Sequence, residues 1–444
     1  MPVLRTTCVV LLALATLSAG CQQSNVTPPA ADPKERLALL VLPQERTAPK
    51  DVTNRYADDP RAATLGKKFF FDTRFSGPLL DSVNTGAPGT LGKQGETGKV
   101  ACVSCHMPAS KAFADIRSSR SQLSLASGWT HRHAPALLDV AQATFLTWDG
   151  RRDAAYNQVF APVESALEFN SSRLFVAQQI TRLYRAEYEA IFGPLPSLGQ
   201  YPVLEPAQAG CAERPADPKN ESCAGHAADD EAVTRVLVNF GKAIQAYTRT
   251  LTCGPSRFDA WMNGDAAALN AEEQAGAFVF VKAGCDNCHS GPYLTDQRFH
   301  NLGVPGGRMD FTDVNTANDP GAADGLAKAR TDWLNSKGRF SDGDDRRLDK
   351  LPQDLSAMLG AFRTPTLRCV SRRPAFMHNG YFRSLEIVVR FFSEGSKAGG
   401  YVGRSVNFER GLSEEEQTQL VAFLNALDGS GPDPAQLEPP VLPP

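Results

Sequence analysis

The chain has no apolar run long enough to cross a bilayer. Its one conspicuous run, Val9 to Leu17, falls short of the roughly 20 residues a spanning helix needs. It has no basic excess: Lys+Arg 46 stand against Asp+Glu 49, a net charge of −3, which argues against a surface dedicated to nucleic acid. Alternating apolar and polar residues are also missing, so half-buried strands are not expected. What remains is a chain of 444 residues with ordinary globular composition, long enough for two domains with cores of their own.

The opening "MPVLRTTCVVLLALATLSAGC" joins one arginine to that short run and to small residues before Cys21, the pattern of an export signal over residues 1–21. Cysteine directly after "LSAG" resembles a bacterial lipoprotein box, with Cys21 lipidated; plain cleavage into the periplasm is the alternative. Residues 22–46 are polar and proline-bearing and read as a tether. Residues 429–444 are proline-rich and read as an extended or disordered tail. The body between is expected to be soluble in the periplasm and to meet the membrane only through the lipid anchor.

Ten cysteines in an exported chain should be paired or chemically capped. Four lie in "CVSCH" (Cys102, Cys105, His106) and "CDNCH" (Cys285, Cys288, His289), the pattern of c-type haem attachment. Two cysteines at this spacing can form thioethers to the haem vinyl groups while the adjacent histidine reaches the iron. Paired C-x-x-C units also build zinc sites, but these pairs lie far apart and each is followed directly by histidine, which zinc does not require. Two covalently bound haems are therefore expected. Cys211 and Cys223 bracket a polar loop and suit a local bridge, leaving Cys253 with Cys369 as a long-range one; free buried thiols are the alternative.

Helical spacing dominates the rest. It predicts helices over 173–192, 229–251 and 271–284, the last delivering the second haem motif. A capping box of Ser413 with Glu416 opens another helix over 411–428, placed so that it could pack back on the N-terminal domain. Residues 305–352 read as a long loop or insertion. The fold class is mainly α: two cytochrome c-like helical haem domains with long loops, over 47–254 and 255–410.

"LGKKFFFDTRFS", "TWDGRRDAAYNQVFAPVESALEF" and "FRTPTLRCVSRRPAFMHNGYFRSLEIVV" resemble, in that order, segments of the bacterial di-haem cytochrome c peroxidases and their MauG-type relatives. The resemblance spans most of the chain beyond the tether. It implies that the first haem reacts with hydrogen peroxide and that the second relays or stores oxidising equivalents. It further implies that Trp148 lies between the haems and that Gln158, Pro162 and Glu168 form the distal pocket over the first iron. The chemistry agrees, since splitting an O–O bond needs a proton moved between oxygens, work suited to a carboxylate. Glu164 is the other carboxylate within reach, and a surface acid on a helix is the bland reading of either. His106 and His289 become the proximal iron ligands, and His378 supports haem propionates.

Departures from the family are as informative. The loop after the first motif has no histidine to close the first iron, which implies an open site as in MauG-type proteins. His131 and His133 come later, and a polar loop is their bland reading. His133 stands where the family has a calcium-binding asparagine, and Arg372-Arg373-Pro374 stand where it has further calcium ligands. Imidazole beside two guanidinium groups disfavours calcium, and an arginine in the cation's place is the alternative. Phe392 occupies the position from which relatives ligate the second iron with methionine or tyrosine. The second iron is then open, or bound by Met377, Tyr381, Met358, Met309, His300 or His378. Ala283 replaces a surface tryptophan that serves as an electron exit in one MauG-type enzyme; Trp261 and Trp333 offer other routes.

The leading functional reading is a periplasmic di-haem peroxidase drawing electrons from a small redox protein. Its variant oxidises Trp or Tyr residues of a partner protein. A non-catalytic electron carrier is the reading from another class, and a haem oxygenase using dioxygen is a third.

Overall fold

The computed structural model describes residues 32–45, 48–117, 123–210, 230–306, 315–396, 401–406 and 408–444. The signal, Cys21, the Cys211 and Cys223 pair and Met309 lie outside the described residues.

The described chain is mostly helical. In order it forms α1 (Pro33–Ala38), α2 (Pro60–Phe71), α3 (Phe160–Glu164), α4 (Arg173–Leu183), α5 (Arg185–Phe192) and α6 (Glu231–Thr248). The second half adds α7 (Arg257–Met262), α8 (Ala271–Lys282), α9 (Ala322–Thr331), α10 (Leu385–Glu394), α11 (Glu414–Ala426) and α12 (Pro434–Leu437). Its one regular sheet is a two-residue antiparallel pair, β1 (Phe299–His300) with β2 (Phe362–Arg363).

Each half is organised around one crossing of two helices. In the first, α2 lies on α6 so closely that a Cβ on Gly66 would stand 1.8 Å from the Ala243 carbonyl oxygen. In the second, α8 lies on α11, and a Cβ on Gly276 would stand 1.9 Å from the Gln419 carbonyl oxygen. Only glycine allows backbones to approach this far. Around the first crossing, Phe69, Phe75, Tyr184 and Phe240 interlock with ring centroids 4.8–6.0 Å apart. Around the second, Phe423 bridges Phe258 and Phe280. Sequence similarity between the halves is weak, yet the architecture repeats.

Four expectations about the connecting segments change. The C-terminal helix α11 packs on α8 within the second half, not back on the N-terminal domain, because Leu420, Phe423, Leu424 and Leu427 complete that core. The element that does return to the N-terminal domain is the tail. Gln436 accepts from the Tyr247 hydroxyl (2.7 Å), Ala435 from Lys67 (2.5 Å) and Pro443 from Arg74 (2.9 Å), so 429–444 is a folded strap.

The later part of the tether is also folded. Leu37 and Leu40 are buried in the second core, and Arg36 makes a two-pronged ion pair with Asp286, inside the second cysteine motif, at 2.8 and 2.5 Å. Replacing Arg36 with alanine should lower stability by about 1 kcal/mol, the scale of a part-exposed bidentate pair, measurable by denaturant unfolding. The insertion likewise carries α9, and its Leu334 and Phe340 enter the core of the first half.

Cys253 and Cys369 form a disulfide across 116 residues of sequence, fastening the junction near Gly254 to the second half. Removing it as a double alanine variant should cost roughly 2–5 kcal/mol, read as a fall in the urea midpoint. The Cys211–Cys223 bridge is not among the described residues.

Candidate active site

The first cysteine motif turns on itself: the His106 N–H donates to the Cys102 carbonyl at 2.9 Å, bringing both thiols and the imidazole onto one wall. Burial pushes the His106 pKa below its ordinary value, so the ring is neutral. The wall belongs to a cavity of about 710 Å³, and Gln158, Pro162 and Glu168 line the same space. All three residues of the expected distal set therefore meet the first motif.

Local hydrogen bonds explain why. Pro162 lies in α3, which ends where Ser165 donates its N–H back to Ala161. The chain then doubles back, Phe169 donating to the Pro162 carbonyl at 3.0 Å and Ser127 to the Glu168 carbonyl at 3.1 Å. Glu168 is thus clamped from both sides, with no ion pair among the described residues. Burial raises its pKa to about 7, with Arg151 opposing. Glu164 is different: its carboxylate is tied to Arg173 at 2.7 Å, outside the cavity lining. The structure separates the two carboxylates that spacing left open.

The second motif repeats the turn, His289 N–H to Cys285 carbonyl at 2.9 Å. The His289 Nδ1 donates to the Leu294 carbonyl, also at 2.9 Å, in the tautomer that leaves Nε2 free for a metal. This motif lines a separate cavity of about 320 Å³. Burial pushes the Cys102 and Cys285 thiols up to about 12, and the two motifs face different spaces, so they do not converge on a single zinc ion. Among the candidates for the second iron, Met358 packs against a separate apolar cluster and is off the cavity wall, and Tyr381 is exposed and also off it. Phe392 does line it, together with His300, Met377, His378 and Tyr401. Tyr401 was not singled out from the sequence; it follows a glycine pair in a polar loop with no motif around it.

Trp148 and Arg363 line both cavities and so form the wall between them. Trp148 donates its indole N–H to the His133 carbonyl at 2.7 Å, and the Arg363 N–H donates to the Trp148 carbonyl at 2.8 Å. The preceding Thr147 has φ 66°, strained for a β-branched residue, and its hydroxyl is held by Asp149 at 2.7 Å. Arg132 braces the wall by pairing with Asp149 (2.6 Å) and with Asp319 from the insertion (2.7 Å). Burial opposes ionisation of Asp149, yet Arg132 and Arg151 pull its pKa down to about 2. This triad was also missed, because its members are scattered in sequence. His133 is buried beside His106, and His131 is exposed at the rim of the first cavity.

Arg363 and Arg373 both line the second cavity without an ion pair among the described residues, and burial lowers both pKa values to about 10. The Arg373 Nε has no hydrogen-bond partner. Unpaired buried cations call for an anion from outside the chain. Two thiols, an imidazole and nearby guanidinium groups fit a c-type haem with its propionates.

Comparison with known proteins accords with this. Residues 60–267 match the model of the di-haem cytochrome c peroxidase family. A cytochrome-c peroxidase of Denitromonas iodatirespirans is 30% identical over 395 residues, covering 85% of this chain and 84% of that one. The chain belongs to the di-haem cytochrome c peroxidase family. The methylamine utilization protein MauG of Methylorubrum extorquens is 28% identical, covering 86% of this chain and 82% of that one. The di-haem peroxidase BthA of Burkholderia thailandensis shares the fold at a TM-score of 0.57, with 23% identity over 88% of this chain and 95% of that one. The two cavities of this family member are the places for two c-type haems.

Of the two spare tryptophans, Trp333 lies under the guanidinium groups of Arg173 and Arg339, at 5.9 and 5.5 Å from its centroid. Cations there disfavour loss of an electron from the indole. Trp261 instead joins an aromatic file through Phe258 and Phe423 to Phe280, on the second cavity wall.

Proposed function

We propose that the protein is a periplasmic di-haem peroxidase, its haems attached through thioethers to Cys102, Cys105, Cys285 and Cys288. His106 and His289 are the proximal ligands. The haem in the first cavity supplies the iron at which hydrogen peroxide binds and is reduced. Reduction to two waters takes two electrons and two protons. Glu168 would handle the protons, its carboxylate accepting one from peroxide held in the first cavity and returning it to the departing oxygen. Gln158 offers an amide to orient the peroxide without competing for the proton, and Pro162 keeps that wall free of a competing ligand. Electrons from a small redox protein would pass from the second cavity to the first by way of Trp148, which lines both.

The observation that carries this reading is a carboxyl group with a pKa near 7, clamped into the cavity of the first motif beside an amide. An electron carrier requires neither group. Adding one equivalent of peroxide to the purified protein should change its visible spectrum within seconds. An unchanged spectrum would leave the carrier reading; a shift with dioxygen alone would favour the oxygenase. A second reading, peroxide-dependent oxidation of Trp or Tyr on a partner protein, is favoured by Phe392 at the family ligand position. The two separate by whether a reduced small cytochrome sustains turnover.

Anchoring through Cys21 belongs to the same proposal, and mass spectrometry of the mature N-terminus would detect the lipid. So does the exclusion of calcium: Arg132 already occupies the carboxylates of Asp149 and Asp319 in this wall, where a cation would otherwise sit. Elemental analysis should find well under one calcium per chain, and a chelator should leave the haem spectra unchanged.

A further inference from the structure

Phe392 presents a ring, not a donor atom, to the second cavity, packed on Phe391 and Phe408 with centroids 5.6 and 5.1 Å away. Any sixth ligand must come from elsewhere on the wall. Besides the cysteine motif, His133, His300, Asp319, Met377, His378 and Tyr401 line that space with atoms able to bind iron. Asp319 is paired with Arg132 at 2.7 Å, and His133 lies in the shared wall beside His106. His300 is committed, its Nε2 to Asp296 at 2.8 Å and its ring beside the Cys288 thiol. His378 lies flat on Phe362, centroids 3.6 Å apart and planes within 8°, and its carbonyl accepts from His133 in the wall shared with the first cavity. Met377 belongs to the same tight turn, at φ 69°.

Tyr401 is placed differently. It follows α10 in sequence, beyond the helix that carries Phe392, and its ring tip lies against Gly303. A Cβ on Gly303 would stand 2.8 Å from the Tyr401 Cζ, so the bare glycine makes room for the ring. Tyr401 lines a mainly apolar space, where a phenol ordinarily finds a partner, yet its hydroxyl makes no hydrogen bond among the described residues.

We propose that Tyr401 binds the second haem iron through its phenolate oxygen, replacing the donor that Phe392 withholds. The proposal rests on the reading that Cys285, Cys288 and His289 carry a haem. On binding ferric iron the O–H bond breaks and the Fe–O bond forms. The proton leaves to solvent, and no electron is transferred. An anionic oxygen donor lowers the reduction potential of that iron relative to a thioether.

The test is resonance Raman spectroscopy of the resting ferric holoprotein, after a pyridine haemochrome count. Two haems per chain with phenolate ring and C–O modes are expected. These modes should vanish in Tyr401→Phe and persist in Met377→Leu. Two haems without phenolate modes in the wild type would overturn the tyrosine alone, with no variant needed. Persistence in Tyr401→Phe, or loss in Met377→Leu only, would do the same. Fewer than two haems would end both this proposal and the reading beneath it.

Discussion

Replacing Glu168 with glutamine lowers the rate of peroxide reduction by roughly 10²–10⁴-fold, the span expected when a positioned general acid–base is removed. The side chain keeps its shape and its clamp, because Ser127 and Phe169 hold the backbone, not the carboxylate. Haem content should therefore stay at two per chain. Glutamine at 164 gives the contrast: Glu164 is bound to Arg173 outside the cavity, so that variant loses an ion pair and keeps its chemistry.

The pH profile is a separate check. With a pKa near 7, Glu168 becomes a competent base only as pH rises through that value, so the peroxide reaction should slow below it. In Glu168→Gln that inflection disappears. The stability effect has the opposite sign. A carboxyl whose folded pKa lies above its ordinary value favours folding when protonated, and this advantage fades as pH rises from the ordinary range through about 7. The glutamine variant should thus be at least as stable as the wild type at pH 8. Unchanged turnover, or a variant less stable at pH 8, would contradict the role assigned to Glu168.

The second large effect is expected at Trp148. Phenylalanine there keeps most of the ring but loses the hydrogen bond to the His133 carbonyl, at a cost to stability of about 1 kcal/mol. Trp148 spans the wall between the cavities, so the substitution should fall on traffic between them rather than on peroxide itself. Stopped-flow mixing of the enzyme with peroxide should retain its first-phase rate. Steady-state turnover with a reduced small cytochrome should drop at least about tenfold, equivalent to 1.4 kcal/mol in the limiting barrier. Equal turnover in variant and wild type would mean that electrons take another path. The strained Thr147 and the Arg132 triad around this residue suggest that its orientation is held, not incidental.

The residues that define the chemistry were legible because their signals are local. C-x-x-C-H is a five-residue pattern with one main chemical use in an exported chain, and Gln158, Pro162 and Glu168 fall within one eleven-residue stretch that the family resemblance covers. The family resemblance favoured Glu168 over Glu164; that Glu164 is tied to Arg173 outside the cavity came from the turn that ends α3. The strap formed by the tail, the docking of 33–42 and the packing of α11 on α8 were illegible. Proline-rich segments look alike whether solvated or laid on a surface, and an amphipathic helix does not name the core it completes.

By itself the sequence pointed to the two cysteine–histidine motifs and the helical class from residue types at short spacing, while the family resemblance supplied the distal set, with Glu164 as the other carboxylate, and the missing ligand at Phe392. Only the tertiary structure decided which carboxylate faces the first cavity, that Arg132, Asp149 and Asp319 meet in the wall, and that Tyr401 reaches the second cavity. Those depend on contacts between segments far apart in the chain, where no spacing rule connects the partners and burial alone sets the balance.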